Sequence, residues 1–347
     1  MKRTPVKDTG IEIPAIIFGT SALGNLYSTL KDEVKLEIIS ECFKYVPKPI
    51  VFDSAGKYGA GLALEVLGQC LQKLEIEPDD VIVCNKLGWL RTELKSPEPT
   101  FEPGVWHNLK HDAVLNISYQ GILECFEQGN ALLGSQYQPQ MLSVHDPDEY
   151  ITEGKTATEK EKRFQNIVEA YKALSFLKKQ GKIKAIGIGA KNWKIIREIA
   201  SKVDLDWVMF ANSITIMQQP PELLSFMEGL YHRGISIINS AVFHSGFLTG
   251  GNYFDYKLIN PHNKTDHQRI EWRQNFFKLC EKYSISPALA CVQFAMTPPG
   301  VVAISLNTSN PSHVKNNVDS VTTAVPRDFY LEMLQKGLLD SSYPYIS

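Results

Sequence analysis

The sequence lacks most of the features that mark secreted, zinc-bound and membrane-spanning proteins. Its six cysteines are scattered and none forms a CxxC pair. They are therefore expected to be reduced core residues of a cytoplasmic protein, not disulfides or zinc ligands. No apolar run approaches the length of a membrane span, and no apolar segment follows residues 1–5. We therefore expect neither a membrane anchor nor a signal peptide.

An excess of charge of one sign is also missing. The chain has 36 Lys and Arg residues against 38 Asp and Glu residues, and its formal net charge is −2. This balance does not favour nucleic acid or an anionic membrane surface as the main partner. We therefore expect a small-molecule ligand, bound by a chain that is a monomer or a small homo-oligomer.

Two common ligand-binding motifs are absent. The segment Gly19-Thr20-Ser21-Ala22-Leu23-Gly24 has the wrong spacing for the glycine-rich dinucleotide fingerprint of a doubly wound sheet. His107 and His111 are four residues apart, but they lack the nearby carboxylate of an HExxH zinc motif and precede or open a predicted helix. No metal site is therefore predicted.

What the sequence does contain is a regular alternation of short apolar runs with helical segments. The runs predicted to be strands are 15–18, 50–53, 81–86, 140–144, 184–188, 206–211, 235–239 and 301–305. Helices are predicted at 31–46, 61–73, 111–133, 158–180, 193–201, 221–232, 265–283 and 327–338, with two more beginning at Ser286-Pro287 and Asn310-Pro311. With 44% apolar residues and no polar linker, residues 1–347 are predicted to form a single (β/α)8 TIM barrel. A doubly wound sheet is the alternative.

Additional segments surround the predicted barrel. Residues 3–15 carry two short alternating pieces around Asp8-Thr9-Gly10, which predicts a hairpin that can plug the bottom of the barrel. Residues 88–110 and 240–264 are too long for plain connections and contain several glycines and prolines. We expect them to be long loops over the C-terminal face of the barrel.

Ionisable side chains stand at the ends of three predicted strands. Asp53 and Lys86 end the second and third runs, and His145 follows the fourth. The loop after the second run adds Tyr58. The carboxyl ends of the strands of a parallel barrel converge on one face, where chemistry takes place. We therefore expect these four residues to form a catalytic site.

Tyr58 is the candidate for moving a proton. A tyrosine can act as a general acid or base if its pKa falls from about 10 toward neutrality, which requires a nearby cation and a restricted dielectric. Lys86 can supply the cation, and Asp53 can hold that lysine as an ion pair. The pair could equally be a structural salt bridge, and the two interpretations are compatible. Asp146 follows the strand end and is expected to point to the loop.

Taken together, these segments resemble the aldo-keto reductase family. The matching pieces are Phe18-Gly19-Thr20, Phe52-Asp53-Ser54-Ala55-Gly56-Lys57-Tyr58-Gly59, Asn85-Lys86, His145-Asp146, Gly187-Ile188-Gly189-Ala190-Lys191-Asn192-Trp193 and Val314-Lys315-Asn316-Asn317-Val318. They occur in the family's order between about residues 14 and 320. Within the family, segments 145–150 and 239–246 look most like the aldose 1-dehydrogenases, which act on fucose- or galactose-type sugars.

The resemblance implies hydride transfer with a nicotinamide dinucleotide bound extended across the top of the barrel, since no side chain provides a hydride. It implies that His145 orients the substrate oxygen. Asn192, with Asn212, would contact the carboxamide of the cofactor, and Ser240 would hold its pyrophosphate. The other expected contacts are Gly19 and Thr20 for the cofactor, and Trp89 and His244 for the substrate.

The end of strand eight bears on the choice of dinucleotide. Members that prefer NADP present Lys or Arg there, whereas the usual basic positions in this chain are Asn307 and His313. Lys315 is a fixed cation, but its spacing points it away. A 2′-phosphate favours charge-assisted donors, so NAD is expected and NADP is less favoured. The other expected nucleotide contacts are Thr308, Asn316 and Asn317.

The expected function is oxidation of the anomeric carbon of an aldose to a lactone with NAD, with Tyr58 as the general base. The enzymatic alternatives are NADPH-dependent aldehyde reduction and oxidation of another alcohol or hemiacetal, such as pyridoxal. A third alternative is a redox-sensing subunit that binds the dinucleotide without turnover. A basic or coiled extension would favour that alternative, and the sequence shows none.

Overall fold

Eight parallel strands close into a barrel in the computed structural model, which describes residues 1–255 and 257–346. In chain order the strands are β1 (Arg3–Pro5), β2 (Glu12–Pro14), β3 (Ile16–Gly19), β4 (Ile50–Ala55), β5 (Val81–Leu87), β6 (Trp89–Glu93), β7 (His111–Leu115), β8 (Met141–His145), β9 (Ala185–Ala190), β10 (Trp207–Ala211), β11 (Ser236–Ser240), β12 (Tyr253–Phe254), β13 (Lys257–Leu258) and β14 (Val301–Asn307). The barrel runs β3, β4, β5, β8, β9, β10, β11, β14, and β14 pairs back onto β3. The predicted (β/α)8 barrel is confirmed.

Helices surround this barrel and cover the outward faces of its strands. They are α1 (Asp32–Tyr45), α2 (Leu62–Lys73), α3 (Tyr119–Leu133), α4 (Pro147–Thr152), α5 (Ala157–Lys179), α6 (Trp193–Ile199), α7 (Pro221–His232), α8 (Lys264–Lys282), α9 (Pro287–Ala295), α10 (Ser312–Thr322) and α11 (Arg327–Gln335). Their apolar sides join the strands in shared clusters, as Leu64 and Leu67 of α2 do with Phe52 of β4. None of the helices in the described ranges is long and apolar enough to cross a membrane.

The hairpin of β1 and β2 closes the N-terminal end of the barrel, as predicted. Its strands are antiparallel, and its side chains Val6, Ile11 and Ile13 are buried. They form one cluster with inward-facing residues of the barrel strands, including Trp207. Gly187 on β9 leaves room for this indole, because a Cβ atom there would lie 2.0 Å from the ring. The lower half of the barrel interior is therefore a packed apolar core.

The start of α5 differs from the sequence-based expectation by two residues. The spacing of Thr158 and Glu161 predicts a capping box, but the box is formed by Thr156 and Glu159, each bonding the backbone N–H of the other. Two overlapping Thr-x-x-Glu matches occur in this segment. Spacing alone does not distinguish them, and the helix begins at the earlier one.

The expectation for residues 88–133 was partly wrong. Residues 88–110 were expected to be a loop and 111–133 a helix, whereas β6 and β7 pair as an antiparallel hairpin. The helix α3 begins only at Tyr119, behind Ser118, whose side chain accepts a hydrogen bond from a backbone N–H of the first turn. The strand partner of β7 is distant in sequence, so local periodicity does not reveal it.

The predicted long loop 240–264 contains a short 3-10 turn at Phe247–Thr249 and the small hairpin of β12 and β13. Tyr256, within this loop, lies outside the described residues. The Arg273 guanidinium of α8 donates to the carbonyls of Phe247 and Gly251, at 3.2 and 2.6 Å. The loop is thus fastened to the helix that follows it.

Candidate active site

A cavity of about 780 Å³ lies at the C-terminal ends of the barrel strands. The four predicted catalytic residues, Asp53, Tyr58, Lys86 and His145, all line it. From there the cavity extends to the ends of β11 and β14, where Ser240 and Asn307 line it. Trp106 and Phe243, from the two long loops, form part of its wall. The cavity therefore joins a cluster of ionisable groups to a long groove.

Asp53 and Lys86 form a buried ion pair at the bottom of this cavity. They come from the neighbouring strands β4 and β5, and the Lys86 Nζ lies 2.5 Å from the Asp53 Oδ2. Only about one-twentieth of each side chain is exposed. The same Nζ donates to the Tyr58 hydroxyl at 3.1 Å. One cation thus contacts both the carboxylate that holds it and the phenol expected to move the proton.

The pair keeps the lysine charged. Burial alone would lower the pKa of Lys86, but the attraction of Asp53 and of Tyr58 outweighs it, and the pKa is raised well above its ordinary value. Burial raises the pKa of the Asp53 carboxyl, against the attraction of Lys86. A positive charge is therefore permanently present beside the Tyr58 hydroxyl at neutral pH.

Tyr58 itself was expected to have a lowered pKa, and this expectation is wrong. Burial raises the pKa of the phenol, and Lys86 offsets only part of that effect. The nearby Asp53 carboxylate adds a further raising contribution, because it partly cancels the field of the lysine. The phenol is therefore protonated at neutral pH and ready to donate.

His145 is a neutral imidazole beside the tyrosine. Burial lowers its pKa well below the ordinary value, and the positive charges of Lys57, Lys86 and Lys191 lower it further. Its ring meets that of Tyr58 edge-on, with centroids 5.4 Å apart and planes at 84°. A neutral imidazole can donate one hydrogen bond, which suits it to holding a substrate oxygen next to the phenol.

Asp146 was expected to point to the loop, and the structure contradicts this. Its backbone has the left-handed conformation, φ 44° and ψ 52°, which turns the side chain back to line the cavity. Its Oδ2 lies 3.5 Å from the His145 Nε2 and 3.4 Å from the Lys57 Nζ. Asp146 therefore lies beside His145, one of the four predicted catalytic residues.

Lys57 is a functional candidate that the sequence-based reasoning missed. It is 5% exposed, and its Nζ lies 2.7 Å from a carboxylate oxygen of Glu102 and 3.7 Å from one of Glu149. The same ammonium lies over the Trp89 ring, 5.2 Å from its centroid. The available signal was a lysine directly preceding Tyr58 in a strand-end loop.

Two glycines allow the loop that carries Tyr58 to pack against the turn after β3. A Cβ atom on Gly59, whose φ is 61°, would lie 2.4 Å from the Gly24 carbonyl oxygen. A Cβ atom on Gly24 would lie 2.8 Å from the carbonyl carbon of Tyr58. Side chains at either position would therefore displace the backbone that positions the phenol.

The two predicted substrate contacts do not face the cavity as expected. Trp89 lies beneath Lys57 and against Phe101, with ring centroids 5.7 Å apart. The aromatic residue that lines the cavity from this loop is Trp106. It pairs with Leu26 through an isolated β-bridge, which holds the loop over the barrel. Trp106 belongs to the same aromatic segment, residues 88–110, that pointed to Trp89, so the sequence marked the segment but not the residue that lines the cavity.

His244, the second predicted substrate contact, is fully buried. Its Nε2 lies 2.8 Å from the Thr215 Oγ1 and its Nδ1 lies 2.8 Å from the Asp255 Oδ1. Its ring stacks on Phe254, with centroids 4.4 Å apart. The sequence-based expectation was wrong because the ring turns inward to link two loops, and Asp255 takes the place at the cavity.

The predicted cofactor residues separate into two groups. Gly19, Ser240 and Asn307 line the cavity. Thr20 is buried and its hydroxyl donates to the Asp53 carbonyl at 3.1 Å, so it supports the strand end instead of facing the cavity. The Asn192 side chain caps α6 by accepting from the Lys194 N–H.

The remaining predicted contacts also lie outside the lining of the cavity. Asn212 has a positive φ of 56°, and its Oδ1 is buried without a hydrogen-bond partner among the described residues. The Thr308 hydroxyl closes a turn with Asn310. His313 and Asn316 are exposed on α10 and Asn317 is half-buried. No contact of these residues with a cofactor follows from their positions.

A tyrosine hydroxyl held by a buried, charged lysine at the mouth of a parallel barrel is an arrangement suited to proton transfer. The model of the Aldo/keto reductase family matches residues 15–335, and the chain belongs to that family. The family uses a nicotinamide cofactor. The cavity fits such a group, because it runs from Tyr58 to Ser240 and Asn307 as one continuous groove.

Named relatives cover nearly the whole chain at low identity. The chain is 27% identical to the pyridoxal 4-dehydrogenase of Microbacterium luteolum, over 95% of this chain and 96% of that protein. It is 23% identical to the D-threo-aldose 1-dehydrogenase of a Pseudomonas species, over 95% and 96%. The L-galactose dehydrogenase of Arabidopsis thaliana is 21% identical over 91% and 86%.

Solved structures share the fold. The holo form of an aldo-keto reductase from Bacillus halodurans matches with a TM-score of 0.67 and 18% identity, covering 99% of this chain and 97% of that one. The glycerol dehydrogenase of Gluconobacter oxydans matches with a TM-score of 0.69 and 15% identity, covering 97% of each.

Proposed function

We propose that this protein oxidises the anomeric carbon of an aldose to a lactone with NAD. The observation that carries the proposal is the Tyr58 hydroxyl, held 3.1 Å from the Lys86 Nζ beside a neutral His145. The names of two relatives, D-threo-aldose 1-dehydrogenase and L-galactose dehydrogenase, support a sugar as the substrate.

In the proposed reaction each residue has a distinct role. His145 holds the hydroxyl oxygen of the sugar beside the phenol, and the Tyr58 phenolate takes the hydroxyl proton. Lys86 stabilises that phenolate, and Asp53 keeps Lys86 charged and in place. The nicotinamide cofactor supplies the acceptor for the hydride that leaves the anomeric carbon.

The expected pH dependence follows from Tyr58. Because burial raises the pKa of the phenol, the base form is scarce at neutral pH. It becomes more abundant as pH rises toward that pKa. Oxidation should therefore accelerate with rising pH until the phenol is deprotonated, and reduction should slow over the same range. Rates in both directions, followed at the nicotinamide absorbance, test this. A rate of oxidation that falls steadily from neutral pH upward would contradict the role of Tyr58.

A second candidate is reduction of an aldehyde or oxidation of a pyridoxal-type alcohol or hemiacetal. A protonated Tyr58 at neutral pH favours proton donation, which is the reductive direction. The relatives also include a pyridoxal 4-dehydrogenase and an NADH-specific methylglyoxal reductase of Escherichia coli, the latter 26% identical over 92% of this chain and 93% of that one. A panel of aldoses, pyridoxal and methylglyoxal with both dinucleotides distinguishes the candidates.

The proposed preference for NAD rests on the end of β14. Asn307 lines the cavity and donates to the Ser21 hydroxyl at 3.0 Å. The nearby Lys315 ammonium lies 2.6 Å from the Asp319 carboxylate on the exposed side of α10. A 2′-phosphate would therefore meet a neutral amide where charge-assisted donors are worth about tenfold to a hundredfold in affinity per contact.

The cofactor preference is tested by fluorescence titration with NAD and NADP. The change Asn307→Lys should tighten NADP binding and leave NAD binding little altered, because Asn307 lines the cavity and the added ammonium would meet only the phosphate. The single change Lys315→Met is the control, since that lysine already has a partner. NADP binding as tight as NAD binding in the unaltered protein would overturn the preference.

A further inference from the structure

We propose that Asp146 and Lys57 form a hydroxyl-binding pair that selects uncharged, polyhydroxylated substrates. The inference rests on the proposed function, since it names the part of the cavity that would recognise the carbons next to the reacting one. Neither residue belongs to the four groups that move the proton. Both line the cavity on the side of His145.

Asp146 lies beside the histidine that would hold the reacting oxygen. Its Oδ2 is 3.5 Å from the His145 Nε2, the atom that would hold the reacting oxygen. A hydroxyl on the neighbouring carbon of a sugar lies close to that oxygen and would reach Asp146. An ionised carboxylate accepts hydrogen bonds and donates none. Asp146 can therefore bind a substrate hydroxyl but offers nothing to a carbon that lacks one.

Lys57 supplies the complementary donor. Its Nζ is 3.4 Å from the Asp146 Oδ2 and 2.7 Å from the Glu102 Oε1. These ion pairs, together with the Trp89 ring below, fix the ammonium at the edge of the cavity. An ammonium has three donors, so contact with its carboxylate partners does not prevent donation to a ligand. A diol can donate to the aspartate and accept from the lysine.

The local charge argues against an anionic substrate. Three carboxylates, Glu102, Asp146 and Glu149, surround two ammonium groups, Lys57 and Lys191. A substrate carboxylate or phosphate would enter a network that already has more negative than positive charge, and like charges repel. The chemical class that fits is a neutral polyol with an aldehyde or hemiacetal group.

The main test is Asp146→Asn, which keeps the shape and removes the charge. Two substrate pairs are compared: reduction of glyceraldehyde and propanal, and oxidation of L-fucose and a 2-deoxy aldose, with NAD(H) and NADP(H). We expect kcat/KM for the hydroxylated member of each pair to fall about tenfold, because the amide oxygen of Asn still accepts a hydrogen bond but lacks the charge that strengthens it. The kcat/KM values for propanal and the 2-deoxy aldose, which lack the hydroxyl next to the reacting carbon, should change little.

Glu153→Gln provides the matched control. Glu153 lies at the end of α4 and pairs with Arg163 on the surface, so the change removes the same charge a short distance from the cavity. It should leave the ratio of kcat/KM within each substrate pair unchanged. An equal shift in Glu153→Gln and Asp146→Asn would mean that distant charge, not a contact, sets the preference, and would overturn the proposal.

Two further results would contradict the hydroxyl-binding role of Asp146 or the preference for uncharged substrates. An equal fall for both members of a pair in Asp146→Asn would show that Asp146 acts only by positioning His145, and the hydroxyl-binding role would be wrong. In the unaltered protein, glyceraldehyde 3-phosphate should be a poorer substrate than glyceraldehyde, and equal or better turnover would overturn the charge argument. This comparison needs no variant, so it holds even if Asp146→Asn fails to fold.

Failure of the proposed function is distinguishable from failure of this inference. If no aldose is oxidised, the assignment as an aldose 1-dehydrogenase fails, and the glyceraldehyde and propanal pair still tests Asp146 in reduction. If nothing is turned over, calorimetric binding of L-fucose and its 2-deoxy counterpart to the protein, with and without Asp146→Asn, gives the same comparison. Equal affinities for the two sugars would then overturn the hydroxyl-binding pair.

Discussion

The two ends of the barrel bury different kinds of side chain, apolar at one end and charged at the other. At the N-terminal end, Val6, Ile11 and Ile13 close the interior with apolar side chains. At the C-terminal end, the ion pair of Asp53 and Lys86 is buried just as deeply. Apolar burial stabilises a fold directly, whereas buried charges cost free energy that pairing only partly returns. The apolar closed end therefore stabilises the fold and offsets the cost of burying charged groups at the open end, where the predicted chemistry takes place.

The largest expected effect separates activity from stability at the open end. Tyr58→Phe removes the proton donor and keeps the ring that packs against Trp106 and His145. We expect kcat to fall by about 10²- to 10⁴-fold, the range for losing a general acid or base. The thermal midpoint and the affinity for the dinucleotide should stay close to those of the unaltered protein. A near-normal kcat would remove Tyr58 from the mechanism.

Breaking the ion pair should affect both properties. Lys86→Met leaves Asp53 buried without its partner, which is expected to cost about 3–5 kcal/mol of unfolding free energy. The double change Asp53→Asn with Lys86→Met should recover much of that loss, because no unpaired charge remains, yet stay inactive. Urea unfolding of the three proteins provides the measurement. A double variant as unstable as Lys86→Met would mean that packing, not charge, dominates there.

The closed end should show the reverse pattern. Ile13→Ala leaves a cavity in a fully buried apolar cluster and should lower the unfolding free energy by about 2–5 kcal/mol. Below its unfolding transition the variant should keep its kcat and its pH profile, since the predicted catalytic groups lie at the other end. The exposed change Glu12→Gln, in the same hairpin, is the control. A large loss of kcat in Ile13→Ala would show that the two ends are coupled.

The smallest expected effect is a pH-dependent loss of stability at the open end. The pKa of His145 is lowered in the folded state, by burial first and then by the neighbouring lysines, so the unfolded chain binds its proton more readily. Stability from this residue is therefore present above the unfolded pKa and declines below about pH 6.5, by up to about 1.4 kcal/mol per pH unit. His145→Gln should reduce that decline, and urea unfolding at pH 7, 6 and 5 measures it. Identical slopes would contradict this electrostatic account.

Much of the fold was predictable because each strand is a short apolar run with its own boundaries. The four catalytic candidates were predictable for the same reason, since strand register fixes where Asp53, Lys86 and His145 emerge. The hairpin of β6 and β7 was not predictable, because a long segment separates its two strands. Neither strand has a sequence feature that indicates which segment it pairs with. The choice between Thr156 and Thr158 as the helix cap was also beyond local spacing.

Side-chain direction outside regular structure was the least predictable feature of the site. Asp146 lines the cavity with a left-handed backbone conformation, which sequence spacing does not reveal. His244 turns inward because Thr215, from the loop after β10, and Asp255, from its own loop, both offer partners to the ring. Such orientations depend on contacts between segments that are distant in sequence, so they require the folded structure.

The close approach of Gly24 and Gly59 has a consequence for anyone who alters this enzyme by mutagenesis and selection. Neither position lies among the catalytic groups, so a library built around the substrate would treat both as free to vary. Because any side chain at either one meets the backbone around Tyr58 or the facing glycine, most substitutions there should be eliminated in the first round. A tolerated change at Gly24 would need a shift of the Tyr58 loop, and a side chain at Gly59 would add a second clash, so both positions should remain glycine.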